Sequence, residues 1–289
     1  MLRSREIYHP KILLKPRRLT RPPTFNPNTP VAVVMVRKGG TYHKECFVEG
    51  VRKAGFVVTD YPNHIPRRGD LILFWNLNPD QVSFARRFAA AGAHVIITEN
   101  GWIGTAPDGG KMYALCLDHH NGLGRWPLGD GERSMGVKIR PWREDGDHIL
   151  VLAARGIGEP GIAQPPGWVA DITKRLQRVT KRSVRLRPHP GRQEGGTPLE
   201  ADLAGAWAAV TWGSGAAIKS LAMGVPVFYE LNGWIGASAA RYGLSDLEHP
   251  FLGDRQPMFN RLAWAQWSGA EIASGKPISR LVALANSRG

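Results

Sequence analysis

Cysteine is almost absent: the 289 residues hold two, Cys46 and Cys116, and neither has a Cys or His neighbour at metal-ligand spacing. That indicates neither a disulfide framework nor a zinc site, and leaves two thiols expected to be buried. No run of about 18 apolar residues occurs, and the basic stretch from Met1 to Thr20 has no apolar segment of the signal-peptide kind. Neither a membrane span nor a secretory leader is therefore expected, and a cytoplasmic location is. Several enzyme signatures are missing too. There is no Walker A sequence, no Gly-x-Ser-x-Gly elbow and no protein-kinase set, and without a full GxGxxG fingerprint no dinucleotide cofactor is expected.

Acidic residues are few beside basic ones. With 24 Asp and Glu against 38 Lys and Arg, the net charge is +14, which favours a polyanionic partner such as nucleic acid or an anionic membrane. A basic protein whose excess charge neutralises a phosphorylated substrate is the plainer reading. Apolar residues make up 43% of the chain, enough for a globular body, and the length suits two α/β domains.

Residues 1–30 mix Lys11, Lys15, Arg17, Arg18 and Arg21 with Pro10, Pro16, Pro22, Pro23, Pro27 and Pro30, a composition that reads as an extended basic arm. From Val31 to about residue 145, buried-strand runs alternate with helices: VAVVMV, a helix over 43–54, FVVT, LILFW, a helix opened by Pro79, and HVIIT. Residues 101–146, rich in Gly and Pro, read as long loops and the passage between domains. Alternation resumes over 146–253, with HILVLAA, a helix near 167–180, SVRLRPH, a segment from Trp207 to Thr211, a helix after Ser214, and PVFYEL. Residues 254–289 read as closing helices. The pattern predicts two Rossmann-like halves. Asn-Gly-Trp-Ile-Gly occurs at 100–104 and again at 232–236, each time after an apolar run and an acid, Glu99 or Glu230.

The chemistry concentrates in the second half. Arg187-Pro188-His189-Pro190 ends one strand, and Gly213, Ser214 and Gly215 join another to a helix. Such a junction leaves backbone N–H groups unpaired beside a hydroxyl, which is a cradle for a phosphate. His189, with Arg187 or Lys219, adds donors to the same anion. A capping serine and a backbone-satisfied histidine are the plainer readings.

These two elements resemble the His-Pro and serine motifs of bacterial GT-B sialyltransferases and Kdo transferases, over roughly residues 148–235. The following AAIKSLAMGVPVFY also resembles the EALxxGxPV segment of many GT-B enzymes, with Lys219 where many carry Glu. The resemblance implies a glycosyltransferase whose two domains face a central cleft. His189 and Ser214 would then bind the phosphate of a UDP- or CMP-type nucleotide-sugar, with Arg187, Gly213, Gly215, Lys219 and Glu230 on the donor side and no further cofactor.

A transferase of this type uses a base to take the proton of the acceptor hydroxyl. Glu99-Asn100-Gly101 is similar to the acidic-acidic-Gly motif of the sialyltransferases, which assigns Glu99 to that role; a strand-end Glu paired with Arg is the alternative. Asp118 and His119, beside His120 in a Gly-rich loop, form the rival constellation. Gly39, Gly40, His43 and Trp102 are placed on the acceptor side of the cleft. Trp102, Trp126, Trp142 and Trp234 lie in loops, either packed or stacked on a sugar or a flipped base.

With its basic arm and charge, the chain also resembles phage-type transferases that glycosylate hydroxymethylated pyrimidines in DNA, and DNA is the expected partner. The alternatives are a capsule or lipopolysaccharide glycosyltransferase and a non-catalytic DNA-binding protein of the same fold.

Overall fold

The computed structural model describes residues 26, 28–39, 42–59, 63–106, 108–119, 123–129, 133, 135–190 and 197–287. Most of the basic arm, Gly40 and His120 lie outside the described residues.

The first half runs β1 (Val31–Met35), α1 (Lys44–Lys53), β2 (Val57–Thr59), β3 (Leu71–Trp75), α2 (Val82–Ala90), β4 (His94–Asn100) and β5 (Met112–Leu117). The second runs β6 (His148–Leu152), α3 (Trp168–Val179), β7 (Ser183–Arg187), α4 (Leu199–Leu203), β8 (Ala206–Thr211), α5 (Ala216–Ala222), β9 (Val227–Tyr229) and β10 (Arg241–Tyr242). The chain closes with α6 (Gln256–Ala263), β11 (Gln266–Ser268), α7 (Gly269–Ala273) and α8 (Lys276–Asn286).

Two sheets result. The first has the order β11-β5-β4-β3-β1-β2, and the second β10-β9-β8-β6-β7. The parallel order β2-β1-β3-β4 of the first recurs as β7-β6-β8-β9 in the second, so the halves share one topology. Both copies of Asn-Gly-Trp-Ile-Gly fall at the carboxyl end of the fourth strand of that order, after β4 and after β9.

Burial explains why continuous apolar runs mark the central strands. Val31 to Val34 and Leu71 to Phe74 are shielded on both faces, and each fully buried large side chain contributes roughly 1.5–3 kcal/mol. In β6 the faces divide. Leu150 and Leu152 belong to a core shared with the first domain and α5, while Ile149 and Val151 pack with Trp168, Ile172 and Leu176 of α3.

Two expectations change. Residues 101–146 are not all loop, because β5 lies within them and pairs antiparallel with β4. The closing segment is not all helix: β11 pairs antiparallel with β5, and α7 and α8 pack on α1, so this segment completes the first domain. Gly50 of α1 is what admits α7, since a Cβ there would overlap the Ile272 carbonyl. Among the described residues no helix is long and apolar enough to cross a membrane.

Candidate functional site

A cavity of about 430 Å³ lies between the domains, at the carboxyl ends of both sets of parallel strands. Its second-domain wall comes from the loops after β6, β7 and β8, and the strand order reverses between β6 and β8, which is where open α/β sheets hold ligands. The first domain contributes Asn76 after β3 and residues 99–102 after β4.

Part of the turn after β8 is held from within. Buried Thr211 donates its hydroxyl to the Leu152 carbonyl at 3.2 Å and accepts from the Ser214 amide at 2.9 Å. Ser214 Oγ in turn accepts from the Ala216 amide at 3.2 Å, which aims its hydroxyl hydrogen elsewhere. Both glycines are closely flanked: a Cβ on Gly213 would stand 2.7 Å from Leu231 Cδ2, and one on Gly215 would stand 3.2 Å from Trp102 Cδ1.

Around this turn the cavity gathers Arg187, His189, Lys219 and Arg155. Their charges are not equivalent. Arg187 is held by the Asp202 carboxylate and donates to the Thr197 carbonyl at 2.9 Å, so its charge is already matched. Arg155 and Lys219 are exposed, and neither has an ion-pair partner among the described residues. The His189 imidazole is held below its ordinary pKa, first by loss of water around it and then by the Arg155 charge. The shift favours the neutral ring, which carries one N–H. Glu99, half-buried at the end of β4, faces the same cavity from the first domain.

Other expected site residues stand elsewhere. Asp118 donates its amide to the Val95 carbonyl, at the opposite end of β4 from Glu99; four strand residues separate the two levels by roughly 13 Å. Its carboxylate is engaged by Arg125 at 2.8 Å, and neither Asp118 nor His119 lines the cavity. Glu230 turns back onto α3, accepting from Arg175 at 2.6 Å and from Trp168 Nε1 at 2.7 Å, which removes it from the donor side. Gly39 and His43 do not line the cavity either.

Trp102, Trp126 and Trp234 are packed away from solvent, at 6%, 8% and 1% exposed, and the Arg255 guanidinium lies 3.6 Å from the ring centre of the half-buried Trp142.

Three cavity residues had been missed. Arg155 sits in Ala-Ala-Arg-Gly-Ile-Gly directly after β6, a glycine-rich turn at a strand end that was itself a usable signal. Gln164 accepts from the Ala154 amide at 2.7 Å and shapes that turn. Asn76 has φ 57°, a left-handed conformation rare outside glycine, and donates its amide to the Thr98 carbonyl.

Two Rossmann-like domains with their strand ends turned toward a common cleft define the α/β architecture of the GT-B class. No protein-family model matches the chain, and no curated protein matches it. Among solved structures it is similar to Thermosulfurimonas dismutans KpsC, beta Kdo 2,7 transferase, with a TM-score of 0.49 and 12% identity over 88% of this chain and 99% of that one. It is also similar to Thermosulfurimonas dismutans KpsC, beta Kdo 2,4 transferase, with a TM-score of 0.45 and 11% identity over 86% and 89%. Likeness at this level assigns no substrate and no residue role to this chain.

Proposed function

We propose that the protein is a glycosyltransferase that moves a sugar from a nucleotide-sugar to a hydroxyl acceptor. One observation carries the reading: donors suited to an anion on the second domain and a carboxylate on the first line a single cavity. The donors are the Ser214 hydroxyl, the neutral His189 ring and the unmatched cations Arg155 and Lys219. In the reaction Glu99 takes the proton of the acceptor hydroxyl as its oxygen bonds to the anomeric carbon. The bond from that carbon to the phosphate oxygen breaks, and the electron pair leaves with the phosphate. Charge growing on the leaving phosphate meets fixed donors, the arrangement that lowers such a barrier most.

The charge of +14 supports a polyanionic acceptor. Two polyanions offer a hydroxyl: DNA carrying hydroxymethylated pyrimidines, and an acidic glycan of the capsule or lipopolysaccharide kind. The DNA reading now rests on charge, because burial of Trp102, Trp126 and Trp234 removes the rings expected to stack on a flipped base. Incubation with UDP- and CMP-sugars and both acceptors, followed by mass analysis, tests the proposal. One added sugar on either acceptor supports it and identifies which; no transfer and no donor hydrolysis across the panel overturns it in favour of a binding protein.

A further inference from the structure

The two copies of Asn-Gly-Trp-Ile-Gly meet at one place. The turn from Gly213 to Gly215 is enclosed by both of their tryptophans, Trp102 reaching across from the first domain and Trp234 packing from within the second. A Cβ on Gly215 would find one heavy atom within 4 Å, Trp102 Cδ1 at 3.2 Å, and a Cβ on Gly213 would stand 3.4 Å from Trp234 Cδ1. Gly215 has φ −61° and ψ −25°, a conformation open to every L-residue, so the backbone does not call for glycine there, and the close neighbour is the Trp102 ring.

Trp102 is itself anchored. Gln266, fully buried on β11, accepts through Oε1 from the Trp102 amide and from the Ile103 amide at 3.1 Å. Its Nε2 donates back to the Ile103 carbonyl at 3.2 Å. The Trp102 ring also lies against Trp126, with ring centres 6.3 Å apart. A continuous set of contacts thus runs from the closing segment of the chain, through the loop after β4, to the phosphate turn of the other domain.

We infer that Trp102 is a positioning residue, an interdomain strut anchored by Gln266 that sets the geometry of the Gly213–Gly215 turn. It acts on the donor from the domain that does not bind it. The effect on the donor rests on the glycosyltransferase reading; the mechanical coupling does not.

Hydrogen exchange on the full chain separates the two. Trp102→Ala raises exchange of the amides of residues 213–217 about tenfold or more, while those of α3, on the far face of the same sheet, keep their wild-type rates. Trp102→Phe, which retains a ring, restores most of the protection, and Gln266→Leu loosens the same turn if Trp102→Ala does not fold. Unchanged exchange at 213–217 in these variants overturns the inference. With a competent donor and acceptor, Trp102→Ala raises the donor KM about tenfold and leaves the acceptor KM in place. A rise in acceptor KM alone would mean that Trp102 is an acceptor residue, and would overturn the inference. Calorimetry with UDP and CMP accompanies both: if the wild type binds neither, the donor reading fails, while the exchange rates still decide the strut.

Discussion

His64 Nε2 lies 2.8 Å from Asp70 Oδ2, at the foot of the first domain and well away from the cavity. The Asp70 carboxylate, 1% exposed, also accepts from the Val31 amide at 2.8 Å and the Arg67 amide at 2.8 Å, so it ties the start of β1 to the start of β3. Burial alone would raise its pKa, but these hydrogen bonds outweigh burial and hold it below the ordinary carboxylate value. Asp70→Ala is expected to cost about 2–3 kcal/mol in chemical denaturation, because two buried amides lose a charged acceptor. The sign with pH follows from the lowered value. The stabilisation is present above about pH 3.9 and is lost as pH falls toward and through the folded pKa. The variant should therefore show a flatter acid limb than the wild type.

His94 adds a dependence nearer neutrality. Burial holds its imidazole below the ordinary value, so the folded chain keeps it neutral where the unfolded chain takes up a proton. Stability is then full above about pH 6.5 and declines below it until the folded group also protonates. His94→Gln should flatten the slope of melting temperature between pH 7 and 5, and an unchanged slope would show that other groups set it.

Two arginines in one cavity should behave differently. Arg187 is spoken for by Asp202, whereas Arg155 is unmatched among the described residues. Arg155→Ala should weaken nucleotide binding about tenfold to a hundredfold, the worth of one or two charge-assisted contacts, with little change in melting temperature. Arg187→Ala should do the reverse, lowering the melting temperature by leaving the Asp202 carboxylate without its cation.

Glu99 and His189 divide chemistry from binding. Glu99→Gln keeps the shape but cannot take a proton, so kcat should fall by about 10²–10⁴ with nucleotide affinity unchanged. His189→Ala should raise the donor Kd and act less on kcat. Full activity of Glu99→Gln in steady-state kinetics would remove Glu99 as the base.

The parallel strands were legible because burial on both faces writes itself as unbroken apolar runs, as in Val31 to Val36 and Leu71 to Trp75. β5 was not, although Met112 to Leu117 is just as apolar: it follows a Gly-rich stretch and runs antiparallel, outside the strand–helix rhythm that located its neighbours. Its partner β11 lies some 150 residues further on, and no local pattern in Gln266 to Ser268 announces a pairing that distant.

Site residues divided along similar lines. Those carried by a strand end and its turn, Glu99, Arg187, His189 and Ser214, all line the cavity. Asp118 and His119 carry side chains suited to a base, but the strand before them runs antiparallel and carries them to the other end of the sheet. The Gly-rich turn after β6 marks a loop at a strand end, but no local pattern singles out Arg155 within it. Packing and stacking both stay open for Trp102 in the sequence because exposure is not visible in a Gly-rich stretch; burial by Gln266, Trp126 and the Ser214 turn makes it a packing residue.

In the proposed complex a nucleotide phosphate sits between Ser214, His189, Arg155 and Lys219, opposite Glu99. Calorimetric titration of UDP and CMP into the wild type, Arg155→Ala and Lys219→Ala tests it most directly. Saturable binding of at least one nucleotide by the wild type, weakened about tenfold or more in each variant, is the predicted result. Absence of binding to the wild type, or equal affinity in all three proteins, would contradict it.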